Sequence, residues 1–180
     1  IQMLITFWAL FLLVTPEIVI LWLKIINLFI MQDFVHLHVH TQYSLLDGQA
    51  SVSALVDKAM KNGMKGIAVT DHGNMFGIKE FTNYVNKKNG GPKGEIKDQK
   101  KRISAIESGK VECEDKEAEI AICKAKIAEA EAKLFKPIIG CEMYVARRTM
   151  DKKEGKPDQS GYHLIVLAKN EKGYHNLIKL

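Results

Sequence analysis

The spacing of apolar and polar positions after residue 33 predicts alternating strands and helices. Residues 34–40 alternate with period two and predict a strand. A helix is predicted over 51–62, because a serine can cap its start and a glycine follows its end. A short apolar strand over 67–69 and a second helix over 75–88 come next. This order predicts an α/β fold with a parallel sheet.

A charged stretch then interrupts the alternation. The run Asn-Gly-Gly-Pro at 89–92 predicts a break in the chain. Helical spacing resumes over 95–134, with a plausible turn at 108–110, and its second half steps by three and four residues in a heptad seam formed by Ile120, Cys123, Ile127, Ala130 and Leu134. We therefore predict an inserted antiparallel helical hairpin at 90–134, either a solvated arm without chemistry or an arm that contacts DNA or another partner.

The strand pattern returns after the hairpin. Residues 137–145 and 162–168 are predicted strands, separated by a polar loop over 147–161. Asn170 is a suitable cap for a last helix that continues to Leu180. Because this pattern is still in progress at Leu180, we expect the sequence to be the N-terminal portion of a larger α/β domain.

The first thirty residues have a different character. Glu17 and Lys24 are the only charges in 1–30, which also contain both tryptophans of the chain. A membrane-spanning helix needs about 20 uninterrupted apolar residues, and Pro16-Glu17 interrupts this run. We expect that 1–30 is not part of the native protein, which would begin at Met31. A membrane anchor and a buried helix or strand are the alternatives, and without a genuine 1–30 we expect no membrane contact.

Composition narrows the remaining classes. Hydrophobic residues make up 47% of the chain and charged residues 26%, which excludes a disordered tail. Three cysteines without a CxxC spacing argue against a disulfide framework or a structural zinc knuckle. A net charge of +5 permits an acidic partner such as DNA without requiring one.

The candidate chemistry is concentrated in histidines and carboxylates at strand ends. His36, His38 and His40 share one face of the first predicted strand, because side chains on a strand repeat every two residues. Sites in parallel α/β folds are built at the carboxyl ends of strands and in the loops beyond them. Four further side chains fall in or beside such places: Asp47, His72, Glu142 and His163.

Together these residues predict a metal site. A mixed histidine and carboxylate set is typical of zinc, manganese or iron. Several such ligands can hold two or three ions, which favours phosphoester hydrolysis. We expect Asp71 to orient a ligand from outside the metal sphere. The role of His36 stays open between such an orienting partner and the core, and we expect His175 to be neutral and Cys141 to be a packing residue.

Four segments resemble the PHP (polymerase and histidinol phosphatase) domain family. They are HLHVHTQYSLLDG (36–48), AVTDHGNM (68–75), PIIGCEMYV (137–145) and YHLIVLA (162–168). More narrowly, they resemble the N-terminus of the bacterial replicative polymerase family, the DNA polymerase III α subunits. The resemblance implies that 31–180 are the N-terminal portion of a distorted (β/α)7 barrel with a metal centre.

The resemblance also assigns roles to residues. By motif, it implies six metal ligands, with the family's last ligands beyond Leu180: His38, His40, Asp47, His72, Glu142 and His163. The metal would be zinc or manganese, and 3′→5′ exonuclease or phosphoesterase activity would accompany it. The resemblance assigns no function to the hairpin.

For the whole protein, the resemblance implies a cytoplasmic DNA-directed DNA polymerase, a nucleotidyltransferase of DNA replication. Its polymerase active site would use magnesium and would lie outside this sequence. Primer-template DNA, deoxynucleotides, a sliding clamp and a proofreading exonuclease would be its partners. A stand-alone PHP phosphoesterase and a non-catalytic PHP scaffold that docks a proofreading exonuclease are the alternative readings.

Overall fold

The computed structural model describes residues 34–180, so the predicted apolar segment 1–30 lies outside the described residues. The elements of the described range follow in this order: α1 (Val52–Lys61), β1 (Gly66–Val69), α2 (Ile78–Lys88), α3 (Gly90–Glu107), α4 (Lys116–Ala132), β2 (Lys136–Val145), a 3₁₀ turn (Lys156–Asp158), β3 (Tyr162–Leu167) and α5 (Glu171–Lys179). The fold is mixed α/β, as the sequence predicts. Residues 34–180 contain one three-stranded sheet, in the order β1-β2-β3, and no closed barrel.

The helices α1 and α5 begin where their sequences indicate. The Ser51 hydroxyl caps α1 by accepting a hydrogen bond from the Ala54 amide. Beyond the end of α1, Gly63 has a positive φ of 76°, a conformation that glycine adopts without a Cβ penalty. The α5 helix begins at the predicted cap, where the Asn170 side chain accepts a hydrogen bond from the Gly173 amide.

The hydrophobic core lies where α1 and α2 pack on β1. Its buried members come from all three elements and from the residue before β2: Val52, Val56, Ala59, Ile67, Val69, Ile78, Phe81, Val85 and Phe135. Burial of one large apolar side chain contributes about 1.5–3 kcal/mol, so this cluster fixes the position of β1 and of the loop that follows it.

The sheet mixes parallel and antiparallel pairing. β1 and β2 are parallel, with Gly66 opposite Lys136 and Val69 opposite Ile139. β2 and β3 are antiparallel, with Val145 opposite Tyr162. The expectation of a parallel sheet is therefore wrong for β3. Because β3 runs in the opposite direction, its first residues lie beside the carboxyl end of β2.

Residues 34–40 are not a strand, which corrects the first element predicted from the sequence. The segment is still joined to β1, because the Ala68 amide donates to the His36 carbonyl and the Thr70 amide to the Val39 carbonyl. The Val39 amide, however, donates to the Thr70 hydroxyl at 2.9 Å. A side chain thus takes the place of one backbone acceptor, and the strand ladder is interrupted.

Two helix starts also differ from the prediction. The α2 helix begins at Ile78 rather than near residue 75. The Asn74 side-chain oxygen accepts a hydrogen bond from the Phe76 amide, and this contact forms a turn in front of the helix. The predicted break at 89–92 is confined to Asn89, and α3 resumes at Gly90. Pro92 is tolerated because it falls in the first turn, where the backbone amides have no partner within the helix.

The helices α3 and α4 form an arm. The start of α3 lies beside the end of α4, where Gly91 and Glu95 share a groove with Lys126 and Lys133, so the two helices are antiparallel. Ile106 of α3 is fully buried, as are Cys123 and Ala130 of the heptad seam. None of the helices in the described range is long and apolar enough to cross a bilayer.

Candidate metal centre

The candidate site begins at the carboxyl end of β1. Asp71 follows this strand, is only 1% exposed, and accepts three hydrogen bonds from the loop over 41–48. The Thr41 amide donates at 2.6 Å, the Thr41 hydroxyl at 2.8 Å and the Ser44 hydroxyl at 2.7 Å. Asp71 therefore fixes the loop to the strand end, and its expected role of orienting a metal ligand stays a prediction.

Ser44 connects Asp71 to two of the histidines. Its Oγ accepts a hydrogen bond from the His72 amide at 3.1 Å and lies 3.1 Å from His40 Nδ1. His72 also forms a parallel β-bridge with Glu142 of β2, and the Gly73 amide donates to the Glu142 carbonyl at 2.9 Å. The main chain thus holds His72 directly beside Glu142.

The carboxylate of Glu142 is the centre of the cluster. It is 3% exposed, and its Oε2 lies 2.7 Å from His38 Nε2, 2.8 Å from His40 Nε2 and 3.6 Å from His72 Nδ1. Its Oε1 is in close contact with Nδ1 of His163. His163 reaches this point because antiparallel pairing places the start of β3 at the carboxyl end of β2.

Asp47 closes the cluster from the solvent side. Its Oδ2 lies 3.0 Å from His72 Nε2 and 3.2 Å from His40 Nδ1. The preceding residue, Leu46, has a φ of 69°, which is strained for a side chain with a Cβ. The structure therefore brings together all six side chains that the sequence singled out as metal ligands: His38, His40, Asp47, His72, Glu142 and His163.

The histidines set the charge state of Glu142. Burial on its own would raise the pKa of this carboxyl, but hydrogen bonds from His38 and His163 outweigh burial and hold the pKa below its ordinary value. The carboxylate is therefore ionised at neutral pH, which is the form that binds a cation.

The residues fit a metal by their donor atoms. They form three overlapping triplets, and within each triplet the ligand atoms lie within 4.8 Å of one another. His72 Nδ1 is buried and, within residues 34–180, has no hydrogen-bond partner. A buried nitrogen without a partner is costly, and a cation between His72 and Glu142 would satisfy it. Imidazole and carboxylate donors of this kind suit zinc or manganese.

Three other residues lie apart from the cluster. His36 lines a hollow beside α1 together with Leu55 and Met64, and His38 lies at the border of the same hollow. His175 is exposed on α5, 3.8 Å from Glu171. Cys141 is buried, its thiol donates to the Asp71 carbonyl, and burial raises the pKa of the thiol. Its buried position agrees with the packing role expected from the sequence.

Sequence reasoning missed Ser44 and Tyr144. Ser44 lies in a polar loop, and nothing local in the sequence indicates its contacts with Asp71 and His72. Tyr144 stacks on the ring of His72, with centroids 6.0 Å apart and planes 11° from parallel, and meets the ring of His163 edge-on at 4.9 Å. The period of two along β2 places Tyr144 on the same face as Glu142, a signal that was available in the sequence.

This site and fold define a class of protein. A family model described as the PHP domain matches residues 36–180, and the chain belongs to that family. PHP domains commonly bind metals, and the clustered imidazoles and carboxylates are suited to that use.

The individual relatives are more specific. The chain is similar to DNA polymerase III subunit alpha of Borreliella burgdorferi (38% identity over 148 residues) and of Treponema pallidum (38% over 149 residues). It is also similar to the same subunit of Aquifex aeolicus, at 33% identity over 155 residues. These matches cover 82–83% of this chain and only 9–10% of the relatives, so the chain spans about a tenth of their length.

Proposed function

We propose that the six clustered side chains bind zinc or manganese in the PHP domain of a replicative DNA polymerase. The observation that carries the proposal is the convergence of His38, His40, His72 and His163 on the buried carboxylate of Glu142. An ionised carboxylate this deeply buried requires cationic or hydrogen-bonding partners. The unpartnered nitrogen of His72 supports a metal in that place.

The chemistry that we assign to the centre is phosphoester hydrolysis, as a 3′→5′ exonuclease on DNA. Clustered metal ions supply a polarised phosphoryl group and an ionised water. His40 and His72 each contact both Asp47 and Glu142, so they join the two carboxylates into one centre. Ser44 contacts the His40 ring and the His72 backbone amide, and Asp71 in turn accepts a hydrogen bond from Ser44.

Tyr144 favours a nucleic-acid substrate over a small phosphomonoester. Its side chain is 56% exposed at the edge of the cluster, beside His72 and His163. An exposed aromatic ring can stack a nucleobase, and such stacking contributes about 1–3 kcal/mol per base. A terminal nucleotide would then present its phosphodiester to the neighbouring imidazoles.

For the whole protein we propose a cytoplasmic DNA-directed DNA polymerase with a magnesium-dependent active site outside this chain. The named relatives support this proposal, and the chain matches about a tenth of their length. Residues 31–180 would be the N-terminal part of a distorted (β/α)7 barrel. Primer-template DNA, deoxynucleotides, a sliding clamp and a proofreading exonuclease would be the partners.

The test uses full-length protein that is stripped of metal and reloaded with zinc or manganese. We expect hydrolysis of a labelled primer 3′ end, and we expect His72→Ala to reduce it by about 100-fold or more, since loss of even an outer partner costs 10–100-fold. The matched control is His175→Ala, an exposed histidine on α5. Equal hydrolysis by wild type and His72→Ala would refute the catalytic proposal. Metal binding without hydrolysis by wild type would instead support the scaffold reading.

A further inference from the structure

The outer face of α3 carries a regular row of positive charge. Lys93, Lys97, Lys100 and Lys101 line one shallow groove, and we call these four residues the lysine stripe. A helix turns once in about 3.6 residues and rises about 5.4 Å per turn. Lys93, Lys97 and the adjacent pair Lys100 and Lys101 therefore follow one another at about one-turn intervals along a single face, over slightly more than two turns.

Much of this charge is uncompensated. Lys97 and Lys100 are exposed, and neither forms an ion pair with any residue of 34–180. Lys101 lies 3.8 Å from Asp98, a loose pair, and Lys93 donates to the neutral side chain of Asn86. Exposed pairs of this kind contribute little energy, so the stripe keeps most of its positive potential.

The arm that carries the stripe is held rigidly. Asn89 separates α2 from α3 and is buried. Its side-chain NH₂ group donates a hydrogen bond to the Phe135 carbonyl, and its side-chain oxygen accepts one from the Phe135 backbone amide. Arg102 of α3 pairs with Glu119 of α4 at 2.8 Å. Because its base is fixed to the core, the arm presents the four lysines at a defined position relative to the sheet.

The stripe and the metal centre lie at opposite ends of the sheet. The base of the arm lies at the start of β1 and β2, where the Lys136 amide donates to the Lys65 carbonyl. Glu142 and His72 lie near the carboxyl ends of the same strands. A ligand on the stripe is therefore separate from a substrate at the metal centre.

We propose that the lysine stripe binds the phosphate backbone of DNA. Protein interfaces are depleted in lysine and anchored by aromatic side chains, whereas Ile96 is the only apolar side chain that residues 34–180 contribute to this groove. A row of positive charges without an apolar anchor instead matches the regularly spaced negative charges of a phosphate backbone. Such contacts bind DNA without sequence preference. The inference rests on the proposed function only in taking DNA as the partner.

The test compares two fourfold variants of the full-length protein. The first removes the stripe, Lys93→Gln, Lys97→Gln, Lys100→Gln and Lys101→Gln. The control removes the same charge from exposed positions elsewhere on the arm, Lys110→Gln, Lys116→Gln, Lys124→Gln and Lys126→Gln. Binding of a fluorescent primer-template duplex is measured between 50 and 200 mM salt, about the range over which phosphate contacts are resolved.

Each lost phosphate contact lowers the slope of log affinity against log salt by about 0.9. We expect the stripe variant to lose about 2–4 units of slope and at least about tenfold in affinity at low salt, and the control variant to lose less than one unit. Equal losses in the two variants would overturn the proposal, because bulk charge would then suffice. An unchanged slope in the stripe variant, with loss of an acidic protein partner instead, would also overturn it.

Two further measurements separate this inference from the proposed function. Both fourfold variants are expected to retain the metal content of wild type, because the stripe lies away from the metal centre. The variant His72→Ala is expected to keep the wild-type salt slope while losing metal. Failure of the lysine stripe would therefore leave the metal proposal intact, and failure of the metal centre would leave the slope difference intact.

Discussion

At the scale of single residues, the site is organised around one buried carboxylate and the groups that compensate its charge. Glu142 is 3% exposed, and burial alone would raise its pKa, but hydrogen bonds from His38 and His163 hold the pKa below its ordinary value. A second buried carboxylate, Asp71, has a different task, because its three hydrogen bonds all go to Thr41 and Ser44. One acid thus faces the site and the other holds the loop.

Ser44→Ala tests the holding role. The hydroxyl is fully buried and connects Asp71, His40 and the His72 amide. Its loss leaves buried groups unpaired, and we expect the free energy of unfolding to fall by about 1–3 kcal/mol. Metal affinity should fall by about 10–100-fold. Thermal unfolding and metal titration measure the two effects, with exposed Ser160→Ala as the control, and an unchanged metal affinity would contradict the role.

The six candidate ligands could be singled out in the sequence because their signals are local. Period two in 34–40 and the position of His72 after a strand both appear in the printed sequence. The contacts of Ser44 could not be predicted, because they depend on a loop folding back onto the end of β1, a tertiary event. The same holds for the interruption at Val39, where the Thr70 hydroxyl replaces a backbone acceptor.

At the scale of elements, the arm and its junction show the strength and the limit of pattern reasoning. The heptad seam predicts α4, and Cys123 and Ala130 are buried as a seam requires. The Asn-Gly-Gly-Pro run is typical of a chain break, yet α3 begins within it at Gly90. Proline is compatible with a first helical turn, so this local signal permits both outcomes and tertiary packing decides between them.

Asn89→Ala should loosen the base of the arm. The side chain is 4% exposed and satisfies both the amide and the carbonyl of Phe135. Without it two buried backbone groups lose their partner, and we expect a loss of about 2–3 kcal/mol in the free energy of unfolding. Denaturant unfolding measures this loss against Asn83→Ala, an exposed asparagine of α2. Equal stability of the two variants would contradict the account.

The contact between α1 and α2 should depend on pH. Asp57 of α1 accepts hydrogen bonds from Lys88 and Tyr84 of α2, and these lower its pKa. A depressed carboxyl pKa contributes stability that is present above the unfolded-state pKa, about 4, and is lost as the pH falls through the folded-state value. We expect Asp57→Asn to be less stable than wild type at pH 7.

The stability difference between wild type and Asp57→Asn should itself depend on pH. The stability difference should shrink as the pH falls below about 4, since wild type also loses its ionised Asp57 there. The effect should be small and should weaken with salt, because the pair is exposed. Thermal unfolding from pH 3 to pH 7 measures it, with Glu131→Gln as the matched loss of an exposed carboxylate. A difference independent of pH would contradict the assignment.

At the scale of the whole molecule, a mixed sheet gathers the site from distant parts of the chain. The loop with Asp47, the end of β1, the carboxyl-terminal half of β2 and the start of β3 all meet at one end of the sheet. The sequence indicates the α/β class and the three strands β1, β2 and β3, but not the reversed direction of β3, because pairing direction depends on long-range contacts. That reversal is what brings His163 to Glu142.

Metal binding should therefore stabilise the fold of residues 34–180 as a unit. A ligand present at 100 times its dissociation constant stabilises the folded state by about 2.7 kcal/mol. We expect chelation to lower the unfolding midpoint of the domain in the full-length protein, and zinc or manganese to restore it. The midpoint of His72→Ala should not respond to metal, whereas that of His175→Ala should respond as wild type does. A response by all three proteins would place the stabilising metal elsewhere.

The central claim is that one cation centre unites histidines and carboxylates that lie far apart in the sequence. The most direct test is a crystal structure of the metal-loaded full-length protein, with diffraction recorded on both sides of the zinc or manganese absorption edge. The account predicts an anomalous peak about 2.0–2.2 Å from imidazole nitrogens and carboxylate oxygens of the cluster, including His72 and Glu142. Anomalous density only at other positions, with these two side chains in direct contact and no ion between them, would contradict it.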